Sequence, residues 1–239
     1  HAVTGPTQQA YADRIGAEYR VIADATMKYP MGEKWRLSKL ALPYDLVVYL
    51  DADVVVRPDA CNLFEFVPEG SVGLLNELPW MPDAGWMFAE VEQLQREQEL
   101  PARPLTQRYH NTGFVVFDRE HADIFAPPTK PFTPFFCTEQ HLINIRLEMA
   151  GYPVFDLGPD VHWEWWIDKE GARKHRGHFL HFSGLRDHEL RLGEMKKAAE
   201  LPIRQPVEAA RPASSVVRPG QTPTQPKGCG CGSGSPAPA

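Results

Sequence analysis

Two carboxylates stand two residues apart in Asp51-Ala52-Asp53, where the apolar run Leu46-Val47-Val48-Tyr49-Leu50 ends. In extended backbone such residues project from one face, and open sheets place ligands at the carboxyl ends of their strands. The pair can hold a hard divalent cation through oxygen ligands, with a substrate phosphate supplying the remaining oxygens. An Asp after a strand is also an ordinary turn residue. A nucleotide-sugar transferase and a two-carboxylate phosphohydrolase would both explain a metal-binding pair. No Gly-x-x-x-x-Gly-Lys phosphate loop accompanies it, which counts against the hydrolase.

The elements that must carry these residues alternate in type. Thr7 to Ile15 reads as a helix and Tyr19 to Ala23 as a strand. Trp35, Leu37, Leu40 and Ala41 recur at helical spacing up to Pro43, which should end that helix. The run Leu46–Leu50 has the mark of a central strand buried on both faces. Further strands are expected at Val72–Leu75, Phe114–Phe117, Pro153–Phe155 and Phe179–Phe182, with a helix from Glu139 to Met149. Strands separated by helices predict an α/β domain: a mixed central sheet with helices on both faces, over residues 1–200. From about Leu201 onward prolines are scattered among Ala, Ser, Thr and Gly. Such composition cannot bury enough surface to offset its ordering entropy, so 201–239 reads as a disordered tail.

Composition narrows the class. A formal net charge of -6 over 239 residues argues against a nucleic-acid partner, whose affinity comes from clustered Lys and Arg. Four cysteines make no disulfide scaffold, and they fit a reducing, cytoplasmic compartment. The pair Cys229 and Cys231 lacks a third ligand nearby and reads as plain tail. No apolar run is long enough to span a bilayer, and no secretory signal pattern opens the chain. Oligomeric state is not legible.

The motifs in order resemble glycosyltransferase family 8, which includes glycogenin and bacterial lipopolysaccharide hexosyltransferases. The Leu50–Val56 stretch, with Cys61-Asn62-Leu63-Phe64-Glu65 beyond it, is similar to the family's Asp-x-Asp region. Lys34 stands where those enzymes carry a lysine near the donor. Asn111-Thr112-Gly113 followed by Phe114–Phe117 looks like their Asn-Ser/Ala-Gly strand, and Glu139-Gln140-His141-Leu142-Ile143-Asn144 like their Asp-Gln-x-x-Leu-Asn segment. His181-Phe182-Ser183-Gly184 is similar to their His-x-x-Gly element.

The resemblance, covering Lys34 to Gly184, implies a GT-A-like fold and retaining transfer of a hexose from UDP-glucose or UDP-galactose to a glycan acceptor. It implies a metal site of Asp51, Asp53 and His181; two carboxylates and an imidazole suit Mn2+, or Mg2+. His178, three residues before His181, should face the other way. Gln140, Glu139 and Asn111 are the expected catalytic-centre residues, with no covalent role assigned to the first two. Lys34, Asn111, Asn144, Gly184 and Arg186 join the two aspartates in donor binding. Trp163, Trp165 and Trp166 could form an acceptor platform, since flat rings pack on sugar faces, or could be core. The loop Pro79–Trp86 could extend that wall.

Two features depart from the family pattern. Its His-x-x-Gly-x-x-Lys continuation meets Asp187 here, leaving Arg186, His188 or Arg191 to face the diphosphate. The chain also begins near the first helix, without the family's initial strand and helix unit. A second class of function therefore stands beside the enzyme: a catalytically impaired carbohydrate- or nucleotide-binding module.

Overall fold

The computed structural model describes residues 2–203 except 25, 28, 103, 104, 106, 172, 173 and 175, together with the backbone of Val216 and Val217. Helix α1 (Thr4–Ile15) is followed by a 3₁₀ segment (Pro30–Arg36) that runs into the single turn α2 (Leu37–Leu40). Then come β1 (Leu46–Leu50), β2 (Val54–Val56), α3 (Leu63–Phe66), β3 (Val72–Asn76), α4 (Gly85–Glu97) and β4 (His110–Asp118). The chain continues through α5 (Thr138–Ala150), β5 (Val154–Asp156), β6 (His162–Glu164), β7 (Phe179–His181), α6 (His188–Ala199) and the two-residue β8 (Val216–Val217). The rest of the expected tail beyond residue 203 lies outside the described residues.

Two mixed sheets result. The larger has the order β1-β4-β3-β5-β8 and the smaller β2-β7-β6. In the larger, β4 runs antiparallel to both β1 and β3, while β3 and β5 are parallel. In the smaller, β7 is antiparallel to β2 and parallel to β6. Alternation along β4 sends Phe114 and Val116 to one face and Val115 and Phe117 to the other. The first face packs with Tyr11 of α1, Val54, Val56 and Phe179. The second packs with Leu37, Ala41 and, from α5, Ile143 and Leu147. Helices thus cover both faces, as the alternation of elements predicts. The small sheet turns its other face, with Val55, Trp163 and Leu180, toward Met195 and Ala198 of α6.

Two expectations are corrected. Among the described residues β1 pairs with β4 alone and is only half-buried along its length; the interior strands are β4, β3 and β5, and β4 is buried over its first eight residues. An apolar β-branched run has the same composition at an edge as in the middle of a sheet. The expected strand at Tyr19–Ala23 joins no sheet. It runs along a cavity of about 770 Å³ that it lines together with Leu46–Leu50. Strand propensity is realised only where a neighbouring ladder is within reach, and this segment pairs with none among the described residues. No helix among the described residues is long and apolar enough to cross a membrane.

Candidate active site

Asp51 and Asp53 lie where the chain leaves the large sheet and enters the small one. Backbone bonds clamp this passage at each end: Asp51 N–H donates to the Gly113 carbonyl (2.7 Å), and Phe182 N–H to the Asp53 carbonyl (3.1 Å). Between them Val54 N–H reaches back to the Asp51 carbonyl (3.2 Å), so the segment is a turn rather than the extended backbone its spacing suggests. The first turns of α1 pin it from outside. Thr4 Oγ1 donates to the Ala52 carbonyl (2.7 Å), and the Gln8 amide donates to the Asp51 and Val54 carbonyls (3.1 and 2.9 Å).

The small sheet brings the third residue in by register. Val54 on β2 faces His181 on β7, and His181 faces Glu164 on β6. His181 Nε2 lies 3.3 Å from Asp53 Oδ1 and 3.9 Å from Asp51 Oδ2. One ligand atom from each of Asp51, Asp53 and His181 falls within 4.8 Å of the others. On its far side His181 Nδ1 lies 3.0 Å from Glu164 Oε1. Gly113 makes this convergence possible. A Cβ there would stand 2.2 Å from His181 Cε1 and 2.7 Å from Asp51 Oδ2, inside any tolerable contact. His178 points elsewhere, its Nδ1 accepting from Cys61 N–H (3.0 Å).

Charges around the aspartates are balanced by buried and bordering cations. The Lys34 ammonium, 5% exposed, sits 3.2 Å from Asp51 Oδ2 and 3.3 Å from Glu139 Oε1. Burial works against its charge, but the two carboxylates outweigh burial and raise its pKa. Tyr49 donates its hydroxyl to Asp51 Oδ1 (2.6 Å), and Arg191 NH1 lies 3.3 Å from Asp53 Oδ2. For His181 burial again opposes protonation, yet Glu164 and Asp53 together hold its pKa well above the ordinary value. Asp53 is the converse: burial favours its acid form, but His181 and Arg191 hold it below the ordinary range.

A second group of expected residues converges on Glu77, at the end of β3. Its carboxylate accepts from Asn111 Nδ2 (3.0 Å), Trp166 Nε1 (3.0 Å) and Gln140 Nε2 (2.9 Å). Gln140 Oε1 in turn accepts from Thr112 N–H (3.2 Å), and Asn111 Oδ1 from Gly113 N–H (2.7 Å). Asn111 and Gln140 are therefore brought to the strand that carries Gly113. Glu139 instead pairs with Lys34 and accepts from the Tyr29 hydroxyl (3.1 Å).

Three sequence expectations need correction. Asn144 is 2% exposed, and its amide is engaged with the His110 backbone and ring and the Gln140 carbonyl. It fastens α5 to β4 and offers no open side to a donor. Trp163 is 1% exposed, packs in the core beneath β7 and donates its indole N–H to Asp168, so it presents no face to a sugar. Trp165 and Trp166 are only partly buried. The proposed wall at Pro79–Trp86 is not one loop: Leu78–Trp80 form a 3₁₀ turn, and Gly85 and Trp86 open α4.

Gly184 follows β7 in the left-handed region, at φ 71°, and Arg186 is exposed with its guanidinium over the Phe136 ring. Asp187 accepts from Leu190 N–H as the N-cap of α6; the acid at the position where the resemblance expects a lysine starts a helix. Of the proposed substitutes, Arg191 on that helix is the one in contact with the aspartates.

No known protein-family profile and no curated protein matches the sequence. The structure matches a glycosyltransferase involved in glycosylation of the major capsid of PBCV-1, with a TM-score of 0.56 at 15% identity over 82% of this chain and 91% of that one. It also overlaps the bifunctional glycosyltransferase WbbM in its apo state, at a TM-score of 0.44 and 16% identity over 67% of this chain and 32% of that one.

The fold is GT-A-like.

Within this GT-A-like fold the acidic turn, the imidazole and the amide group all gather at the junction of the two sheets. Several residues there escape a reading of the sequence: Thr4, Gln8, Tyr49, Glu77 and Glu164. Only Glu164 carried a signal, since His162 and Glu164 alternate with Trp163 on opposite faces of one strand. Polar residues at that period normally mark a solvent face, whereas both are buried here.

Proposed function

We propose that this chain is a metal-dependent glycosyltransferase that moves a hexose from a nucleoside diphosphate sugar, UDP-glucose or UDP-galactose, to a glycan acceptor with retention. The observation that carries the reading is the convergence of Asp51, Asp53 and His181 under Gly113. Two carboxylates and one imidazole, within reach of a common point, are a donor set that fits Mn2+ or Mg2+. When bound, such a cation supplies charge neutralisation for the departing nucleoside diphosphate.

The chain's own residues do the rest of the work. Lys34 holds Asp51 on one side and Arg191 holds Asp53 on the other, fixing both carboxylates before a ligand arrives. Preorganised charge of this kind costs no rearrangement during reaction. Asn111 and Gln140 are oriented by Glu77, and their amides can both donate to and accept from sugar hydroxyls. Trp165 and Trp166 are the rings left for the acceptor side. A cytoplasmic setting belongs to this reading and rests on the low cysteine content of the sequence.

A donor screen with Mn2+, scoring release of nucleoside diphosphate with and without mixed glycans, tests the proposal. Metal-dependent release from a UDP-hexose, lost in Asp53→Ala, is the expected result. Sugar binding with neither donor binding nor turnover would overturn the enzyme and leave a binding module.

A further inference from the structure

Three groups behind the aspartates, the buried Glu164 and His162 and the half-buried Ser183, have no part in the reaction so far. Glu164 is 1% exposed and His162 fully buried. Glu164 Oε1 takes two imidazoles, His181 Nδ1 and His162 Nε2, each at 3.0 Å, and its Oε2 accepts from Ser183 Oγ at 3.0 Å. His162 packs its ring on Phe114, with centroids 4.8 Å apart, and its Nδ1 is buried with no hydrogen-bond partner among the described residues. An apolar trio would pack in this position without leaving a buried polar atom unpaired, a fault that carries a real penalty. Core packing alone therefore does not account for the arrangement.

We propose that Glu164 is a positioning residue for His181, oriented in its turn by His162 and Ser183. Resting on the metal reading above, it assigns one job to each imidazole nitrogen. The carboxylate accepts the Nδ1 proton, which leaves the Nε2 lone pair directed at Asp51 and Asp53. An imidazole that donates one N–H to a carboxylate is locked in a single tautomer and ring orientation and becomes a more basic ligand. Strand register enforces the alignment, because Asp53 precedes the residue opposite His181 on β2, and Glu164 lies opposite His181 on β6. In this assignment His162 Nε2, which also lies 3.2 Å from His181 Nδ1, donates to the same Glu164 oxygen, so the His162 lone pair is left on Nδ1. The carboxylate is thereby bound on both oxygens and has no freedom to swing away from His181.

The test measures Mn2+ binding in the presence of UDP by the loss of the free-ion electron paramagnetic resonance signal. Wild-type, Asp53→Ala and Glu164→Gln proteins are compared, with folding checked by circular dichroism. Loss of a carboxylate partner behind a ligand histidine lowers metal affinity by about 10–100-fold, and that weakening is expected for Glu164→Gln. A second measurement needs no variant: the nitrogen-15 histidine spectrum of wild-type protein with Mg2+ and UDP should show His181 protonated at Nδ1 only. Asp53-dependent binding that Glu164→Gln leaves within about twofold, against the tenfold or greater loss expected, overturns this inference alone. So does a His181 protonated at Nε2 in the complex. Wild-type protein with no Asp53-dependent Mn2+ binding overturns the metal reading itself, and this inference with it.

Discussion

Glu77 and Glu164 are buried to nearly the same degree, 3% and 1% exposed, and they interact with each other. Their surroundings nevertheless drive them in opposite directions. Burial pushes both toward the neutral acid. Around Glu164 two imidazoles more than offset this, and its pKa falls well below the ordinary carboxylate range. Glu77 accepts from two amides and an indole, which are neutral donors. Burial and the negative Glu164 beside it raise its pKa well above the ordinary value. Hydrogen bonds alone do not account for the difference: each carboxyl group accepts three from other side chains, and the two are also bonded to each other. The charge that His181 carries in the unliganded chain does. One buried negative charge thus stands behind His181, while the neighbouring carboxyl that orders Asn111 and Gln140 avoids adding a second.

The same contrast recurs in two histidines. His181, between carboxylates, is raised, whereas burial pulls His110, whose ring bonds to the neutral Asn144, down to about 4.

The largest expected effect is at the point where the two regions meet. Gly113→Ala forces a methyl into His181 and Asp51, neither of which is free to retreat from its partners. Overpacking of this kind costs about 3 kcal/mol, and Mn2+ binding with UDP should vanish as well. Urea unfolding and the resonance titration check both, and a variant that binds Mn2+ normally would show that the convergence of His181 and Asp51 does not depend on a bare backbone at Gly113.

Glu77→Leu comes next. Replacing the carboxylate orphans donors on Asn111, Gln140 and Trp166, at about 1–3 kcal/mol for each group left buried and unpaired. Partial relaxation toward water should bring the total near 3 kcal/mol. Urea unfolding at neutral pH measures it, while Asp53-dependent Mn2+ affinity should fall less than in Glu164→Gln. Equal losses of Mn2+ affinity in the two variants would break the comparison.

The smallest effect concerns His110. A histidine whose folded pKa lies below its unfolded value contributes its full stability above the unfolded value and loses it as pH falls. For His110 the window runs from the ordinary value of 6.5 down through about 4. At about pH 5 the penalty is about 2 kcal/mol. His110→Gln should therefore lose about 2 kcal/mol less stability than wild type between neutral pH and about pH 5. Identical acid slopes for the two proteins would remove His110 from the comparison.

Much of the scaffold is legible in local composition. The runs Leu46–Leu50 and Phe114–Phe117 are apolar and β-branched or aromatic, so they form strands wherever a partner exists. The α5 helix is legible through Leu142, Ile143 and Ile145. Helix α6 hides because its apolar Leu190 and Leu192 face solvent, while Met195 and Ala198 alone are buried. Strand β6 hides because His162 and Glu164 are polar residues at a buried period.

Within the site, the acidic turn stood out as a candidate because Asp51 and Asp53 follow directly on an apolar strand, although an Asp there is also an ordinary turn residue. His181 and the Asn111, Glu139 and Gln140 segments came into view through motif order. What the sequence determined by itself is thus the inventory: which strands carry acids, imidazoles and amides to their ends. Tertiary structure decided which of them meet. Asn144 became a clamp, Trp163 became core, and Glu77 and Glu164 became the hubs of two networks. A buried polar side chain is tolerable only against a partner distant in sequence. That partner is set by register between strands and by packing of helices, which no local pattern of residues contains.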